Sequence, residues 1–393
     1  MKNSKKKIIY STQVYFLDAA VEYVKLLTYK DYEVHLLIEL SPNQLNANIL
    51  NIDANLNDYN SITSFENVVD KWNLQFLESF FVKCKSVNFI IYSSKNIFKT
   101  FQVSNQINKF YNEVRPDYIH LDEFSVRQLF LLPRLIQRRK KIILNIHDPK
   151  AHSGEFHFLR FLYRKLLFRM ISSYVVFSEF SKLDLASQLK GNKKIFVLKL
   201  MPYTVFRSFL PKNGQFNKDE KKYISFIGRI SPYKGIEMFS KAIEELSLLH
   251  SNLKFYIGGK TIPGYNPSFL NENTENLIVK NKFLSNQEIS EIVCKSQLII
   301  CPYKDATQSG VIMTAFALGC PVLVTNTGGL PEYVVNNKTG VVCKENTAQG
   351  LTKAIEEFLN LNKKNSFSEN VQSKEYQLNF ERWNIKKLKD IYR

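Results

Sequence analysis

Three stretches of this chain hold residues whose types and spacing suit chemistry, and two of them suit a phosphate. Gly228-Arg229-Ile230-Ser231-Pro232-Tyr233-Lys234-Gly235 places a guanidinium and an ammonium on one short loop between a β-branched run and a helical one. Arginine offers phosphate oxygens a rigid fork of donors, lysine a compact charge, and Gly228 allows a close backbone approach. Gln308-Ser309-Gly310-Val311 opens a second helix, directly after a polar loop that carries Asp305. The first N–H groups of a helix lack intrahelical partners and carry the positive end of its dipole, so this start suits an anion. The third stretch, His147 to Glu155 (HDPKAHSGE), gathers two histidines, two carboxylates and a glycine within nine residues. His147 is the candidate proton carrier or hydrogen-bond donor, with Asp148 and His152 beside it. No metal is expected there, because the His147, Asp148, His152 spacing spans a proline and does not match the one-face arrangement of a helical zinc motif.

These stretches need elements to position them. Lys7–Tyr10 reads as a strand that enters a loop at Ser11–Gln13, Val14 to Leu27 has helical spacing, and Val34–Ile38 reads as a second strand. Strand, helix, strand begins a parallel sheet with crossover helices. Further strands are expected at Val87–Tyr92, Tyr118–Leu121, Ile142–Ile146, Tyr174–Phe177 and Lys194–Leu198, with a helix over 126–137. Ligands bind beyond the carboxyl ends of strands in such sheets, which is where His147 falls. Pro202 to Lys222 has proline, glycine, charge and little periodicity, and reads as a linker. After it come strands at Tyr223–Ile227, Phe255–Ile257, Leu277–Val279, Gln297–Cys301 and Val322–Thr325, with helices at Ile236–Leu249, Asn286–Lys295 and Thr347–Leu361. Phe380, Trp383, Ile385, Leu388 and Ile391 give the last segment, from Tyr376 to Tyr392, a helical rhythm. The expected organisation is two domains, 1–203 and 204–375, with a final helix over 376–393.

Composition bounds the rest. The 393 residues are 45% hydrophobic and 23% charged, as in a globular protein with ample core. The net charge is +18, spread as 29 basic and 18 acidic side chains over residues 1–200 and 25 and 18 over the remainder. That excess favours anionic partners, whether nucleic acid, anionic lipid or phosphorylated small molecules. Cys84, Cys294, Cys301, Cys320 and Cys343 form no CxxC pair and lie in apolar surroundings, so they read as buried thiols of a reducing compartment. The basic start followed by Ile8–Leu17 superficially resembles a signal peptide, but Ser11, Thr12 and Gln13 break its apolar run and no cleavage site follows. No stretch is long and apolar enough for a spanning helix. Phe156 to Ile171 (FHFLRFLYRKLLFRMI) interleaves Arg160, Arg164, Lys165 and Arg169 with aromatic and aliphatic residues. It reads either as an amphipathic helix packed on its own sheet or as an interfacial helix touching anionic lipid.

The stretch from Cys301 to Val335 resembles the donor-binding half of the family 4, or group 1, retaining glycosyltransferases. The resembling elements run in order: Asp305 on its loop, Gln308 to Val311, Ala317 to Val322, and Gly328-Gly329-Leu330-Pro331-Glu332. The subgroup with QSGV at the helix start fits best. Gly228-Arg229 with Lys234-Gly235 matches the family's G-R-x-x-x-x-K-G element, whose cations hold the donor diphosphate. The resemblance implies an α/β GT-B fold, two Rossmann-like domains facing across a cleft, with the last helix crossing back onto the first. It implies a nucleotide sugar held by Gly228, Arg229, Lys234, Asp305 and Gln308 to Val311, with the backbone of Phe283 and Leu284 at the nucleobase. His147 matches a histidine that faces sugar and acceptor, and Asp148 and His152 lie on that acceptor side. Two departures stand out. The family's Gly-Gly pair in the first loop is replaced by Ser11-Thr12-Gln13. Its two donor-site glutamates fall on Ala306, beside Asp305, and on Thr314.

The expected activity is therefore metal-independent, cofactor-free transfer of a sugar from a nucleoside-diphosphate sugar to a saccharide or lipid-linked saccharide, with retention of configuration. Bacterial surface polysaccharide synthesis is the expected setting, in the cytoplasm or peripherally at the inner face of the plasma membrane, where 156–171 would touch anionic lipid. No nucleic-acid module is recognisable, and the basic residues are spread over both halves. No paired-carboxylate machinery for hydrolysis is evident. The alternatives are a catalytically silent GT-B partner subunit and a GT-B sugar-nucleotide epimerase.

Overall fold

The computed structural model describes residues 5–30, 32–94, 96–123, 125–150, 158–211, 221–267, 275–362 and 366–393. The chain divides into two compact units: Met1–Lys150, Phe156–Lys199 and Glu381–Arg393 make one, and Leu200–Phe380 falls in the other.

In the first unit, β1 (Lys7–Gln13), β2 (Glu33–Leu40), β3 (Ile62–Ser64), β4 (Ser86–Ile91), β5 (Tyr118–Asp122), β6 (Ile142–Asn145), β7 (Ser173–Val176) and β8 (Lys194–Val197) form one sheet. Its order is β3-β4-β2-β1-β5-β6-β7-β8, parallel throughout except for the short edge strand β3 against β4. The central strands are buried along nearly their whole length, as a parallel sheet covered on both faces requires. Strand order reverses between β1 and β5, so the carboxyl ends of those two strands flank the switch point where ligands bind in such sheets.

Two local expectations are corrected here. Ser11-Thr12-Gln13 is not a loop but the end of β1, paired with β2 through Gln13 and with β5 through Thr12. Its polar side chains are tolerated in a buried strand because Thr12 Oγ1 donates to Asp122 Oδ2 at 2.8 Å. The following helix starts only at Leu17, after a 3-10 turn over Val14–Phe16. The stretch 126–137 is a 3-10 segment, Val126–Leu131, followed by a short α-helix, Leu132–Gln137. Pro133 fits only the first turn of an α-helix, so the α-helix cannot begin earlier.

In the second unit, β9 (Tyr223–Ile227), β10 (Lys254–Gly258), β11 (Leu277–Lys280), β12 (Ser296–Cys301), β13 (Val322–Thr325) and β14 (Gly340–Cys343) form an all-parallel sheet. The order is β11-β10-β9-β12-β13-β14, and it reverses between β9 and β12. The expected linker is largely structured where it is described. A 3-10 segment, Thr204–Phe209, buries Val205 and Phe206, Tyr203 N donates to Met313 O at 3.2 Å, and Ser290 Oγ donates to Phe206 O at 3.0 Å. Aperiodic apolar residues pack as well as periodic ones, which is why a pattern search passes over them.

The last helix, Lys374–Ile391, starts with Tyr376 and Phe380 stacked among Phe316 and Tyr333 of the second unit. From Glu381 onward it belongs to the first, where Trp383 Nε1 donates to Val197 O at 3.2 Å and Asn384 bonds the backbone of Lys199 in both directions at 2.8 Å. The helix Phe158–Met170 buries Leu167 and Phe168 in the first unit's core. All five cysteines are free, and burial pushes the Cys301 thiol up to about 11 and Cys320 up to about 12. Among the described residues, no helix is long and apolar enough to cross a membrane.

One glycine fixes the join of the loops that follow β9 and β12. Gly235 sits at φ +65°, and a Cβ placed on it would lie 1.8 Å from Pro302 O. The left-handed conformation alone disfavours any other residue by roughly 1–2 kcal/mol, and here the backbone must also move. Gly235→Ala is expected to lower the urea-unfolding free energy of the second unit by about 2 kcal/mol or more. A change within experimental error would show that the two loops are not in contact in solution.

Candidate functional site

In the second unit the candidate residues gather at the carboxyl ends of β9 and β12. Gly228 directly follows β9, Arg229 comes next on the exposed side of the loop, and a 3-10 turn, Pro232–Lys234, leads to the helix Ile236–Leu249. The loop after β9 is zipped to the loop after β10: Gly228 N donates to Gly258 O at 2.9 Å and Ile230 N to Lys260 O at 3.0 Å. On its other side Lys304 N donates to Tyr233 O at 2.7 Å, tying it to the loop after β12. Arg229 Nη2 donates to Tyr233 Oη at 3.2 Å. Lys234 Nζ lies 3.7 Å from the centre of the Tyr303 ring and 5.2 Å from that of Tyr233. A cation over an aromatic face is attracted by the ring quadrupole and keeps its charge.

Tyr303 also reaches the second anion-binding element. Its buried hydroxyl is within 3.2 Å of Ser309 Oγ, and Ser309 is the N-cap residue of the helix Gly310–Ala317. The serine side chain makes no capping bond to the helix backbone. Lys234, Tyr303, Ser309 and the start of the helix therefore form one connected group. Val311 approaches Gly228 closely: a Cβ built on that glycine would sit 3.5 Å from Val311 Cγ2. Asp305 and Gln308 lie on the intervening loop, both half-buried. Lys304 Nζ pairs with Glu237 at 3.3 Å, so its charge is already met. Ser231 adds a buried hydroxyl with no protein partner on the Arg229 loop.

In the first unit the structure places His147 just beyond β6, buried and stacked on Phe16 at 3.8 Å between ring centres, with Phe177 at 4.7 Å. Its Nε2 is 2.8 Å from Asp122 Oδ1 at the end of β5. Asn145 Nδ2 donates to the same oxygen at 2.8 Å, and Thr12 supplies Oδ2. His147 N donates to Glu123 Oε2 at 3.1 Å. Burial opposes charge on His147, but Asp122, with Glu123 and Asp148, outweighs it and raises its pKa. Burial likewise opposes the Asp122 carboxylate, yet the imidazolium and the donors from Asn145 and Thr12 hold its pKa below the usual value. Behind this pair His120 Nε2 donates to Asn145 Oδ1 at 2.6 Å, and Tyr392 Oη donates to His120 Nδ1. Burial keeps that second histidine neutral, with a pKa lowered to about 4. Asp18, also near His147, is raised to about 6 by burial. Asp148 is half-buried, and its carbonyl accepts from Arg164 Nη2 at 2.6 Å. His152 lies outside the described residues.

Residues 210–374 match the family model of glycosyl transferases group 1. They form a group 1 glycosyltransferase domain. The chain is 31% identical over 129 residues to a D-inositol 3-phosphate glycosyltransferase of Corynebacterium glutamicum, 31% of each chain. It is 25% identical over 153 residues to an uncharacterized glycosyltransferase of Methanocaldococcus jannaschii, 37% of this chain and 40% of that one. The match thus spans two fifths or less of these relatives. Solved structures align over nearly the full length: a Rickettsia africae glycosyltransferase with TM-score 0.64 and 18% identity, covering 99% of this chain and 98% of that one. The Anabaena protein HepE in complex with UDP and glucose gives TM-score 0.64 and 13% identity, covering 98% and 100%. The fold is the GT-B fold of those glycosyltransferases, two parallel α/β sheets each with its own switch point.

The glycosyltransferase domain thus brings Gly228, Arg229, Lys234, Asp305 and Gln308 to Val311 to one edge of one sheet. Leu284 is buried near Gly258 at the end of β10, while Phe283 is exposed. Thr314 is buried inside its helix and offers no carboxylate. The sequence reading missed Tyr233 and Tyr303, which seat the cations, and Asp122 and Asn145, which seat His147. The only hint of the latter was an acidic residue directly following the apolar run Tyr118–Leu121.

The buried pair makes a pH prediction. His147 binds its proton more tightly folded than unfolded, so its contribution is full below its ordinary pKa of about 6.5 and is lost as pH rises through the raised folded value. Asp122→Asn leaves a buried imidazole without its carboxylate and is expected to cost about 3–5 kcal/mol near pH 6. Urea titrations from pH 6 to 9 should show the difference between wild type and variant narrowing as pH rises. A constant difference would mean that His147 is neutral throughout.

Proposed function

We propose that the protein transfers a sugar from a nucleoside-diphosphate sugar to a saccharide or lipid-linked saccharide acceptor, retaining anomeric configuration and using no metal ion. The observation that carries this reading is the connected group Lys234, Tyr303, Ser309 and the N-terminus of Gly310–Ala317, with Arg229 on the adjoining loop. A departing nucleoside diphosphate gains negative charge as the glycosidic bond breaks. Preorganised cations and helix N–H groups stabilise that charge without reorganising, which is where such catalysis gains most. Two fixed cations and a helix dipole supply what a divalent ion supplies elsewhere. Asp305 is assigned to the donor sugar's hydroxyls, which a carboxylate accepts well, and Phe283 and Leu284 to the nucleobase edge. HepE, which shares the fold, has been solved with UDP-glucose, and a uridine donor is the first to test.

The acceptor is assigned to the first unit, at the ends of β1, β5 and β6, beside His147 and Asp148. Asp122 raises the pKa of His147 and fixes its ring, so His147 is assigned the role of hydrogen-bond donor beside the acceptor. The acceptor hydroxyl then attacks the anomeric carbon from the face the diphosphate leaves, the bond to the diphosphate oxygen breaks, and the hydroxyl proton passes to that departing oxygen, with no protein nucleophile. Surface polysaccharide synthesis is the setting that suits such an acceptor.

A thermal-shift series with UDP, GDP, ADP and CMP, with and without EDTA, tests the donor site. A ligand at 100 times its dissociation constant stabilises by about 2.7 kcal/mol. One diphosphate is expected to shift wild type regardless of EDTA, and Arg229→Ala or Lys234→Ala to abolish the shift and lower sugar transfer by about 100-fold or more. Transfer that persists unchanged in both variants would falsify the assignment, and free sugar-nucleotide interconversion without transfer would favour an epimerase.

A further inference from the structure

A strongly basic surface lies in the first unit, on residues to which no donor or acceptor role was assigned above. The helix Ile97–Val114 runs alongside the stretch Val126–Gln137. Phe101 and Phe130 meet edge to face at 5.9 Å, Arg134 Nη2 donates to Asn105 Oδ1 at 2.7 Å, and Arg138 Nη2 donates to Asn112 Oδ1 at 2.5 Å. The two stretches therefore share one outer face. Together with the turn that ends at Lys141 they carry eight cations (Lys99, Lys109, Arg127, Arg134, Arg138, Arg139, Lys140 and Lys141) and one carboxylate, Glu113; Lys109 pairs with Glu113 at 3.9 Å and Arg127 with the buried Glu39 at 3.3 Å, which leaves six cations without an ion pair among the described residues.

The two ends of this face differ in kind. At the end near the carboxyl ends of β4 and β5, Ile97, Phe98, Phe101, Val126 and Leu129 are all exposed, Ile97 by 71% and Phe98 by 67%. Large apolar side chains exposed together in this way mark an interaction surface, whereas single ones are ordinary. At the other end Arg115, Arg138, Arg139, Lys140 and Lys141 line an open depression of about 660 Å3 with no acidic residue in its wall. The protein partners of these cations are neutral: Arg138 donates to Arg134 O and Asn112, Arg139 to Ile136 O at 3.4 Å, and Lys141 to Pro116 O at 2.8 Å. The depression is therefore charged and unneutralised. An 18-residue helix spans about 27 Å between the two ends.

We propose that this face docks on a bilayer with anionic headgroups, the apolar end inserting at the headgroup boundary and the basic end holding lipid phosphates. The charge favours an anionic partner, and the exposed phenylalanine, isoleucine and leucine favour a lipid surface over a nucleic acid, which offers stacking and phosphates but no apolar layer. The surface differs from the helix Phe158–Met170, whose described end turns Leu167 and Phe168 into the core and spends Arg164 on Asp148 O. The proposal does not rest on the transferase reading, and its test needs no donor or acceptor.

Sedimentation of the full chain with phosphatidylglycerol-rich vesicles, and with phosphatidylcholine vesicles alone, measures it. Wild type is expected to partition to the anionic vesicles and to leave them as salt rises. Arg139→Glu/Lys140→Glu should weaken partitioning by about 30-fold or more, since each cation near such a surface contributes about fivefold. Phe98→Ser/Leu129→Ser should weaken it by about tenfold, and circular dichroism should show both variants folded, the substituted side chains being at the surface. Loss in both variants supports the docking face. No binding by wild type, unchanged binding by either variant, or an apolar variant that changes only the oligomeric state in light scattering overturns it.

Discussion

Everything the second unit offers to an anion depends on how closely the chain after β9 approaches the chain after β12. The two strands are neighbours at the switch point of their sheet, and Gly235 lets the backbone of one loop run against Pro302 O of the other. Without that approach Lys234 would be an ordinary surface lysine with four rotatable bonds and a large entropy to lose on binding. With it, the ammonium lies on the face of a buried tyrosine whose hydroxyl meets the N-cap serine of the next helix. Preorganisation of this kind moves the ordering cost from the binding step to the folding step, where hydrophobic burial of two apolar strands offsets it. An anion arriving there would meet charges already in place.

The first unit handles charge in the opposite way. Asp122 is a buried carboxylate whose acceptor sites are met by Thr12 of β1, by Asn145 at the end of β6 and by His147 just beyond it. A buried ion pair gains little net stability, because desolvation of both ions offsets most of their attraction. What it gains is orientation. The imidazole is held between Phe16 and Phe177 in one ring setting, with its charge fixed by the carboxylate. His120, two residues before Asp122 and equally buried, lacks a carboxylate in contact and stays neutral. Two buried histidines thus have pKa values shifted in opposite directions, His120 lowered by burial and His147 raised because a carboxylate outweighs the same burial.

The contrast between what the sequence made legible and what it hid follows the range of the interactions. Gly228-Arg229 and Lys234-Gly235 were readable because a strand, a tight loop and a helix start within a dozen residues leave a local pattern. The two parallel sheets were readable for the same reason, from β-branched runs alternating with helical spacing. Ser11-Thr12-Gln13 misled because polarity signals a loop only when no partner waits across the sheet, and Asp122 lies 110 residues away. Tyr203, Val205 and Phe206 were hidden in a stretch that looked like a linker, since their burial has no period. The seat of His147 was hidden for the same reason as Thr12: β1, β5 and β6 meet only in three dimensions.

The net charge of +18 therefore does not describe one property of the molecule. Arg229 and Lys234 are few, share one loop and lie against the rings of Tyr233 and Tyr303. The cations from Lys99 to Lys141 are many, exposed or half-buried, and spread over two adjoining stretches, so their attraction acts over about a Debye length and fades as salt rises. A composition count adds the two kinds together, yet the second stands beside a group of exposed apolar side chains, Ile97, Phe98, Phe101, Val126 and Leu129. The chemistry that each kind of charge can recognise is set by what holds it: a point anion where the cations converge, an extended charged surface where they do not.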